Sequence, residues 1–585
     1  MMPMFCAMRQ KMRKETPSVR NLSIVADYAD DGMDGGSLQQ IWDTLQEEFL
    51  IADKYGLQFN YKKMTLYLMD GESSQDPQDP QVQSLLQRFR EKGIAIDTSM
   101  NIMFMKVPLI GSPSFVKGWV ERKLQALRGT LDVVEKLPNP HVAYYLLRQA
   151  AGVCRVLFWM RTMPENMVGE LLQEFDCMQR RTLEKLIGAA MNGEQWKQAQ
   201  LPFRLGGCGI RSAVEGADAS YVMSRALTRE SCHSLDPNFI YEGEVDDDVS
   251  CGLRGAVGTV NGKLPPEQQI GDSHSCTYEH IDRKWLILNT WVEEECAKRM
   301  LDDAIGSQFD AARLHAVKAQ SSAAFLDGAP SEDAGTLLTG DEFRSRVGRR
   351  LGIELCEEDM CPCCGQTMDR FGAHAETCTC GGDKSKNHNQ VNYLVYKQCQ
   401  SAGVRPELEK AKILSGVKSQ VDLGRRRPAD TFVQSGAGIK TGKGRNLLSV
   451  ALDVGIINPQ APTNVTKASE GTLEAADKYT EKKRAFQNTD ALCAAAGIDY
   501  QPLVFESFGG CSAQARETLK SINRLVANNT NTPTSEVARR FWQKVSTEIQ
   551  KSNHRSFAKR IVKNHFFTES ASRRFLRVSP EEAGQ

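Results

Sequence analysis

No stretch of this chain approaches the roughly eighteen uncharged apolar residues that a bilayer-spanning helix needs, so a soluble protein without membrane contact is expected. Net charge is missing too. Lys and Arg number 73, Asp and Glu also 73, and the pI is about 7.1, which excludes a uniformly basic, histone-like protein. Any nucleic-acid binding must come from local patches. Residues 1–12 hold a short apolar run, but its basic residues follow the run, the wrong order for a secretory signal, so no N-terminal address is expected. Internal repeats are lacking. Seventeen cysteines, an odd number and scattered, do not read as a disulfide framework. Reduced thiols in the cytosol or nucleus fit better. What is present is 585 residues, enough for three to four domains, with an ordinary 41% hydrophobic and 25% charged content.

Alternating Leu22, Ile24 and Ala26 predict a strand that runs into the Asp- and Gly-rich turn at residues 27–36. A helix follows over residues 37–55 (Leu38, Ile41, Leu45, Phe49), then a strand over 64–69 and a polar loop over 71–82. Residues 114–226 read as helical, punctuated by Pro138-Asn139-Pro140 and Gly206-Gly207-Cys208-Gly209. The acidic run at 242–248 and the Gly-rich residues after it suggest a linker and a domain boundary. Beyond it a second helical stretch covers 282–351. An α/β module comes next: a helix at 389–403, strands at 430–433 and 447–454, one long helix at 473–496 and a strand at 503–508. The C-terminal end reads as helical and basic.

Two groups of residues carry chemistry on their own account. Cys361, Cys364, His374 and Cys378 form C-x2-C-x9-H-x3-C, in which one knuckle supplies two thiolates to a tetrahedral metal and a following turn closes the site. Four ligands with no vacancy indicate structural zinc, with Cys356 and Cys380 as possible substitutes. The second group is acidic. Asp30 and Asp31 sit where a hairpin tip would keep both side chains near metal ions, although Asp-Asp-Gly alone equally fits an ordinary acidic turn.

Tyr28-Ala29-Asp30-Asp31 resembles the Y-x-D-D motif of LINE-type (non-LTR) retrotransposon reverse transcriptases. Gly56-Leu57-Gln58-Phe59-Asn60-Tyr61-Lys62-Lys63 resembles the G-L-x-x-N-x-x-K motif that follows it, which implies a nucleic-acid role for Lys62 and Lys63. Residues 106–111 are similar to the hairpin that grips the primer, and residues 201–211 to an element past the thumb. The cysteine cluster, with His388-Asn389 after it, resembles the CCHC element preceding the restriction-like endonuclease of certain non-LTR elements. In that neighbourhood Asp430, after Pro428-Ala429, and Asp453 look like the P-D … D core of the PD-(D/E)XK fold. The position two residues after Asp453 is Gly455 rather than lysine, and in the retroelement branch the lysine comes from the next helix. Lys478 and Lys482 share one helical face there; Phe486 favours Lys482, with Lys478 in reserve, and Glu506 could act behind them.

The resemblance implies a multidomain α/β and α protein. Its parts would be a partial reverse-transcriptase palm (1–112), helical thumb and post-thumb region (113–240), linker (241–281), helical connector (282–352), zinc knuckle (353–383), restriction-endonuclease-like α/β domain (384–525) and basic helical tail (526–585). It further implies catalytic Mg²⁺ at Asp430 and Asp453, and DNA and the element's own RNA as partners, held by Arg425, Arg426, Arg427, His388 and Asn389. A nuclear location follows. Residues 1–26 contain no Asp and only Glu15, so the second polymerase carboxylate is missing and Mg²⁺-dependent nicking of target DNA is the activity expected to survive. The competing expectation is a non-catalytic RNA- or DNA-binding remnant.

Overall fold

The computed structural model describes residues 16–22, 24–28, 31–69, 79–104, 106–235, 248–270, 285–417, 426–434, 438–440 and 449–561. Two compact units make up the chain, dividing between Lys123 and Leu124. Among the described residues no helix is long and apolar enough to cross a membrane.

In the first unit, β1 (Ile24–Tyr28) and β2 (Asp31–Gly35) form the expected antiparallel hairpin, with Tyr28 opposite Asp31. Ala29 and Asp30, which connect them, lie outside the described residues. Helix α1 (Leu38–Ala52) follows. β3 (Thr65–Tyr67) and β4 (Ala95–Asp97) run parallel, as a helical crossover allows, and α2 (Pro80–Glu91) is that helix. Pro80 occupies its first turn and the Asp79 carboxylate caps the Gln81 amide at 2.7 Å. Trp42 meets Phe89 edge-on at 4.9 Å in a core with Leu66, Leu85 and Leu86. The hairpin expected at residues 106–111 is present as β5 (Ile102–Phe104) and β6 (Val107–Ile110). Lys62 and Lys63 are exposed on a short 3₁₀ turn.

The second unit opens within the helix Pro113–Glu135 and includes helices α3 (Pro140–Gln149), α4 (Glu165–Ile187), α5 (Gly193–Gln200) and α6 (Ala213–Leu235). The expected linker at 241–281 is corrected in part. Residues 236–247 and 271–284 lie outside the described residues, but Asp248–Lys263 is a helix, α7, packed against α6 and α8 (Trp285–Asp303). Its Leu253, Val257 and Val260, with Leu264 just past its end, recur at helical spacing, a pattern hidden among its glycines. Residues 201–211 wrap tightly around the helices. A Cβ on Gly207 would stand 1.9 Å from the Leu201 carbonyl oxygen, so only glycine fits.

Helices α9 (Gln308–Lys318) and α10 (Gly340–Leu351) lead to a short hairpin, β7 (Asp359–Met360) and β8 (Thr367–Met368), and the turn α11 (Ala373–Thr377). Then α12 (Asp383–Ser401) precedes a four-stranded sheet in the order β12-β11-β10-β9. These strands are β9 (Pro406–Leu408), β10 (Thr431–Val433), β11 (Ser449–Ile457) and β12 (Ile498–Glu506). β11 and β12 are parallel, and the other pairs are antiparallel. Val450, Leu452 and Val454 point to one face, covered by α12, α15 (Ala513–Thr530) and α16 (Thr534–Ala558). Ala451 and Ile457 point to the other, covered by α13 (Glu474–Ala485) and α14 (Thr489–Ala495).

Two further expectations change here. The single helix expected at 473–496 is two helices, because Gln487 and Asn488 take left-handed conformations (φ 50° and 54°) that interrupt the hydrogen-bond ladder. Within the described part of the basic tail expected at 526–585, α16 turns one face into the core. Val537, Phe541, Val545 and Ile549 recur every fourth residue along α16 and are buried, while residues 562–585 lie outside the described residues. Nor do the connector, knuckle and α/β segments separate: all belong to the second unit.

A layer of buried arginines joins these segments. Arg350 donates to the Gly207 and Val317 carbonyls, both at 3.1 Å, and Arg313 to the Arg350 carbonyl at 2.7 Å. Arg346 and Arg349 reach Glu376 of α11 at 2.6 and 3.3 Å, all three side chains being at most 2% exposed. Removing the lone acid would leave two uncompensated buried cations. Glu376→Gln is therefore expected to destabilise the protein by roughly 3–5 kcal/mol, read as a shift of the denaturation midpoint.

Candidate functional site

Cys361, Cys364, His374 and Cys378 converge, their ligand atoms all within 4.8 Å of one another, and this group could hold a metal ion. Gly365, at φ 72°, turns the knuckle, and its amide returns to the Cys361 carbonyl at 2.8 Å. Asp369 then fixes the second half of the site by accepting the amides of Phe371, Ala373 and His374. The sequence reading passed over Asp369, which lies three residues before the N-cap Gly372, although Asp side chains commonly accept amides a few residues on in such turns. Cys356 turns instead toward the Asp369 and Arg370 carbonyls, and Cys380 is exposed. Neither belongs to the group. Burial works against ionisation of Cys361, but the amides of Cys363 and Cys364 pull its thiol down to about 6. Behind the group lies Arg560, wholly buried, donating to Asp383 at 2.9 Å and to the Cys380 carbonyl at 2.7 Å.

A second convergence occurs on the sheet. Thr431 pairs with Leu452, so the antiparallel register carries Asp430 opposite Asp453, and the Asp430 amide donates to the Leu452 carbonyl at 3.0 Å. The Val454 amide donates to the Asp430 carboxylate at 2.7 Å. His388, which sequence reasoning assigned to nucleic acid, instead stands 3.0 Å from that carboxylate and 3.2 Å from the Val454 carbonyl oxygen. Its neighbour Asn389 is exposed.

The lysine at the carboxylates is Lys483. Its ammonium donates to Asp453 at 2.7 Å and to the Val454 carbonyl at 2.8 Å. Lys478 and Lys482 are exposed and make no contact with Asp430 or Asp453. The reason is helical phase. Buried Ala476 and Thr480 define the inward face of α13, and Lys483 continues it at the i+7 position. Gly455 leaves room for that chain: a Cβ there would lie 2.9 Å from Lys483 Cε and 3.3 Å from the Tyr479 ring. The glycine at the position where lysine was sought thus marked the space, but not the residue filling it. Tyr500 of β12 also donates its hydroxyl to Asp453; only the sheet order brings it there.

Charge at the pair is unequal. Burial favours a neutral Asp430, yet His388, the Val454 amide and Lys483 outweigh it and hold the carboxyl below the usual range. At Asp453 burial wins over Lys483 and Tyr500, and the carboxyl lies above that range. The hydrogen bond to Asp430 lifts His388 to about 9 against its burial. Glu506, expected behind the site, is buried at the end of β12, and burial pushes its carboxyl up to about 8.

The remaining expected residues are dispersed. Arg426 fills the break between α13 and α14, bonding the Gln487 carbonyl at 3.1 Å and the Thr489 hydroxyl at 2.9 Å. Arg427 forms an exposed pair with Glu409 at 3.1 Å. Arg425 and Asp30 lie outside the described residues, and the Asp31 side chain is likewise not described. The chain matches no family model and no curated protein.

Two outcomes follow. A raised His388 pKa contributes stability that is complete below about 6.5 and lost as pH rises through about 9. The melting temperature of metal-free protein should therefore fall across that window more than that of the His388→Gln variant. A dication held by three thiolates and a neutral imidazole carries a net negative charge, which buried Arg560 offsets. Arg560→Ala should weaken affinity for added zinc about 10–100-fold in chelator competition.

Proposed function

We propose that this chain is part of a non-LTR (LINE-type) retroelement protein and that its second unit nicks DNA in a Mg²⁺-dependent reaction at Asp430, Asp453 and Lys483. The observation that carries this reading is the convergence of two carboxylates from neighbouring strands, one backbone carbonyl and one lysine on a single point of the sheet.

Magnesium prefers oxygen ligands, and the donor set fits it: Asp430, Asp453 and the Val454 carbonyl would hold the ion. Bound there, the ion would polarise the scissile phosphate and lower the pKa of water. The protein's own groups do the rest. Tyr500 and Lys483 hold the Asp453 carboxylate in place from two sides, and the Val454 amide with His388 does the same for Asp430. The Lys483 ammonium is positioned to orient water and to meet charge developing on the phosphate. Zinc in the Cys361, Cys364, His374 and Cys378 group is structural in this reading, since four protein ligands leave no open position. RNA binding belongs to the first unit, where Lys62 and Lys63 are exposed; no chemistry is routed through Asp30 and Asp31.

Full-length, zinc-loaded protein should nick supercoiled plasmid when Mg²⁺ is added. Asp453→Asn should abolish nicking, Lys483→Ala should slow it about 10²–10⁴-fold, and Lys482→Ala should leave it unchanged. Folded protein that binds DNA without cutting it would overturn the nuclease reading in favour of a non-catalytic binding remnant.

A further inference from the structure

One residue beyond His388, α12 turns a different face to solvent. Lys386, Asn389, Tyr393 and Lys397 recur at helical spacing on it. Lys386, Asn389, Gln390, Tyr393 and Leu394, with Glu548 of α16 opposite, line a groove of about 520 Å³. Tyr393 is 50% exposed. Its ring is not loose: it stacks on Tyr396 with centroids 6.2 Å apart and planes 22° from parallel, and Lys397 Nζ lies 5.3 Å from its centroid. The Gln400 amide in turn donates to the Tyr396 hydroxyl at 2.8 Å, so a short ladder braces the exposed aromatic from the C-terminal side.

An exposed tyrosine ring held in one orientation offers a face for stacking. The charge around it selects the partner. Lys386 and Lys397 are exposed on this face of α12, while the one acid lining the groove, Glu548, is paired with Arg555 at 2.9 Å. The face is net positive with an aromatic at its centre. A duplex buries its base faces against each other and offers such a ring only its phosphates, whereas an unpaired strand offers base faces and phosphates together. The same helix carries both features: Asn389 of this face follows His388, which is bonded to Asp430.

We propose that the α12 face is a platform for unpaired nucleotides flanking the cleavage site, with a base stacked on Tyr393 and its phosphates tracked by Lys386 and Lys397. The proposal rests on the nuclease reading for its biological setting, but its binding chemistry stands apart from cutting.

The test uses full-length, zinc-loaded protein carrying Asp453→Asn, without Mg²⁺, and a fluorescently labelled oligothymidylate. Tyr393→Ala should weaken binding of this single strand about 5- to 150-fold, and Tyr393→Phe should restore it. Lys397→Ala should flatten the salt dependence. A blunt duplex should bind both tyrosine variants alike. Unchanged single-strand affinity in Tyr393→Ala, with an unchanged melting temperature, would overturn the platform and leave the face to a protein partner. An equal loss for the duplex would also overturn it, since stacking on unpaired bases would not be the cause. Tyr393-dependent binding by wild-type protein that never nicks plasmid would support the platform while the nuclease reading fails.

Discussion

Four arginines taken out of water at the centre of the second unit constrain everything packed around them. Arg313, Arg346, Arg349 and Arg350 are buried, and burial of a guanidinium is costly unless acceptors are held where its donors point; Arg346 and Arg350 find them, while Arg349 meets Glu376 only through Nε and lies over the Phe508 ring. Arg350 therefore ties down residues 201–211 through the Gly207 carbonyl, and Arg346 binds both Gln550 of α16 and Glu376 of α11. One short helix, α10, thereby links the helical segment, the metal group and the α/β segment. This is why segments that read as separate beads along the chain form one unit.

The two chemical groups inherit their rigidity from this arrangement. His374 lies two residues before Glu376 on α11, so the ion pair with α10 also anchors a ligand of the metal group. Asn458, just past the end of β11, donates to the Ala373 carbonyl at 3.0 Å, which fastens the metal segment to the strand that carries Asp453. From the other side, Phe557 of α16 packs over Gly372, where a Cβ would come within 2.7 Å. The metal group and the carboxylates are thus two parts of one scaffold.

Legibility in the sequence followed the range of the interaction. The metal ligands could be named because knuckle spacing is local chemistry, and Asp430 and Asp453 because each is an acid in or beside an apolar strand, Asp430 just before β10 and Asp453 in the middle of β11. Helix α1 and the first hairpin announced themselves by periodicity and turn residues, and the β5–β6 hairpin only through the resemblance of residues 106–111. The lysine did not. Lys478, Lys482 and Lys483 are chemically alike, and only the phase at which α13 lies on the sheet selects among them. α7 and the burial of α16, which was expected only as a basic helix, escaped for a related reason: glycines or surface charges obscure the few residues, about four apart, that make their core contacts.

Residue type and local spacing by themselves determined the balance of charge, the four-ligand metal group and the strand pair bearing two acids, since each depends on neighbours within a turn or a strand. Tertiary structure alone decided that Lys483 and Tyr500 meet Asp453, that His388 meets Asp430, and that Arg426 is consumed in bracing a helix break. Those contacts join residues 30 to 63 positions apart. At such separations chain connectivity permits many partners, and the choice falls to sheet order, helix phase and the need to satisfy buried charge.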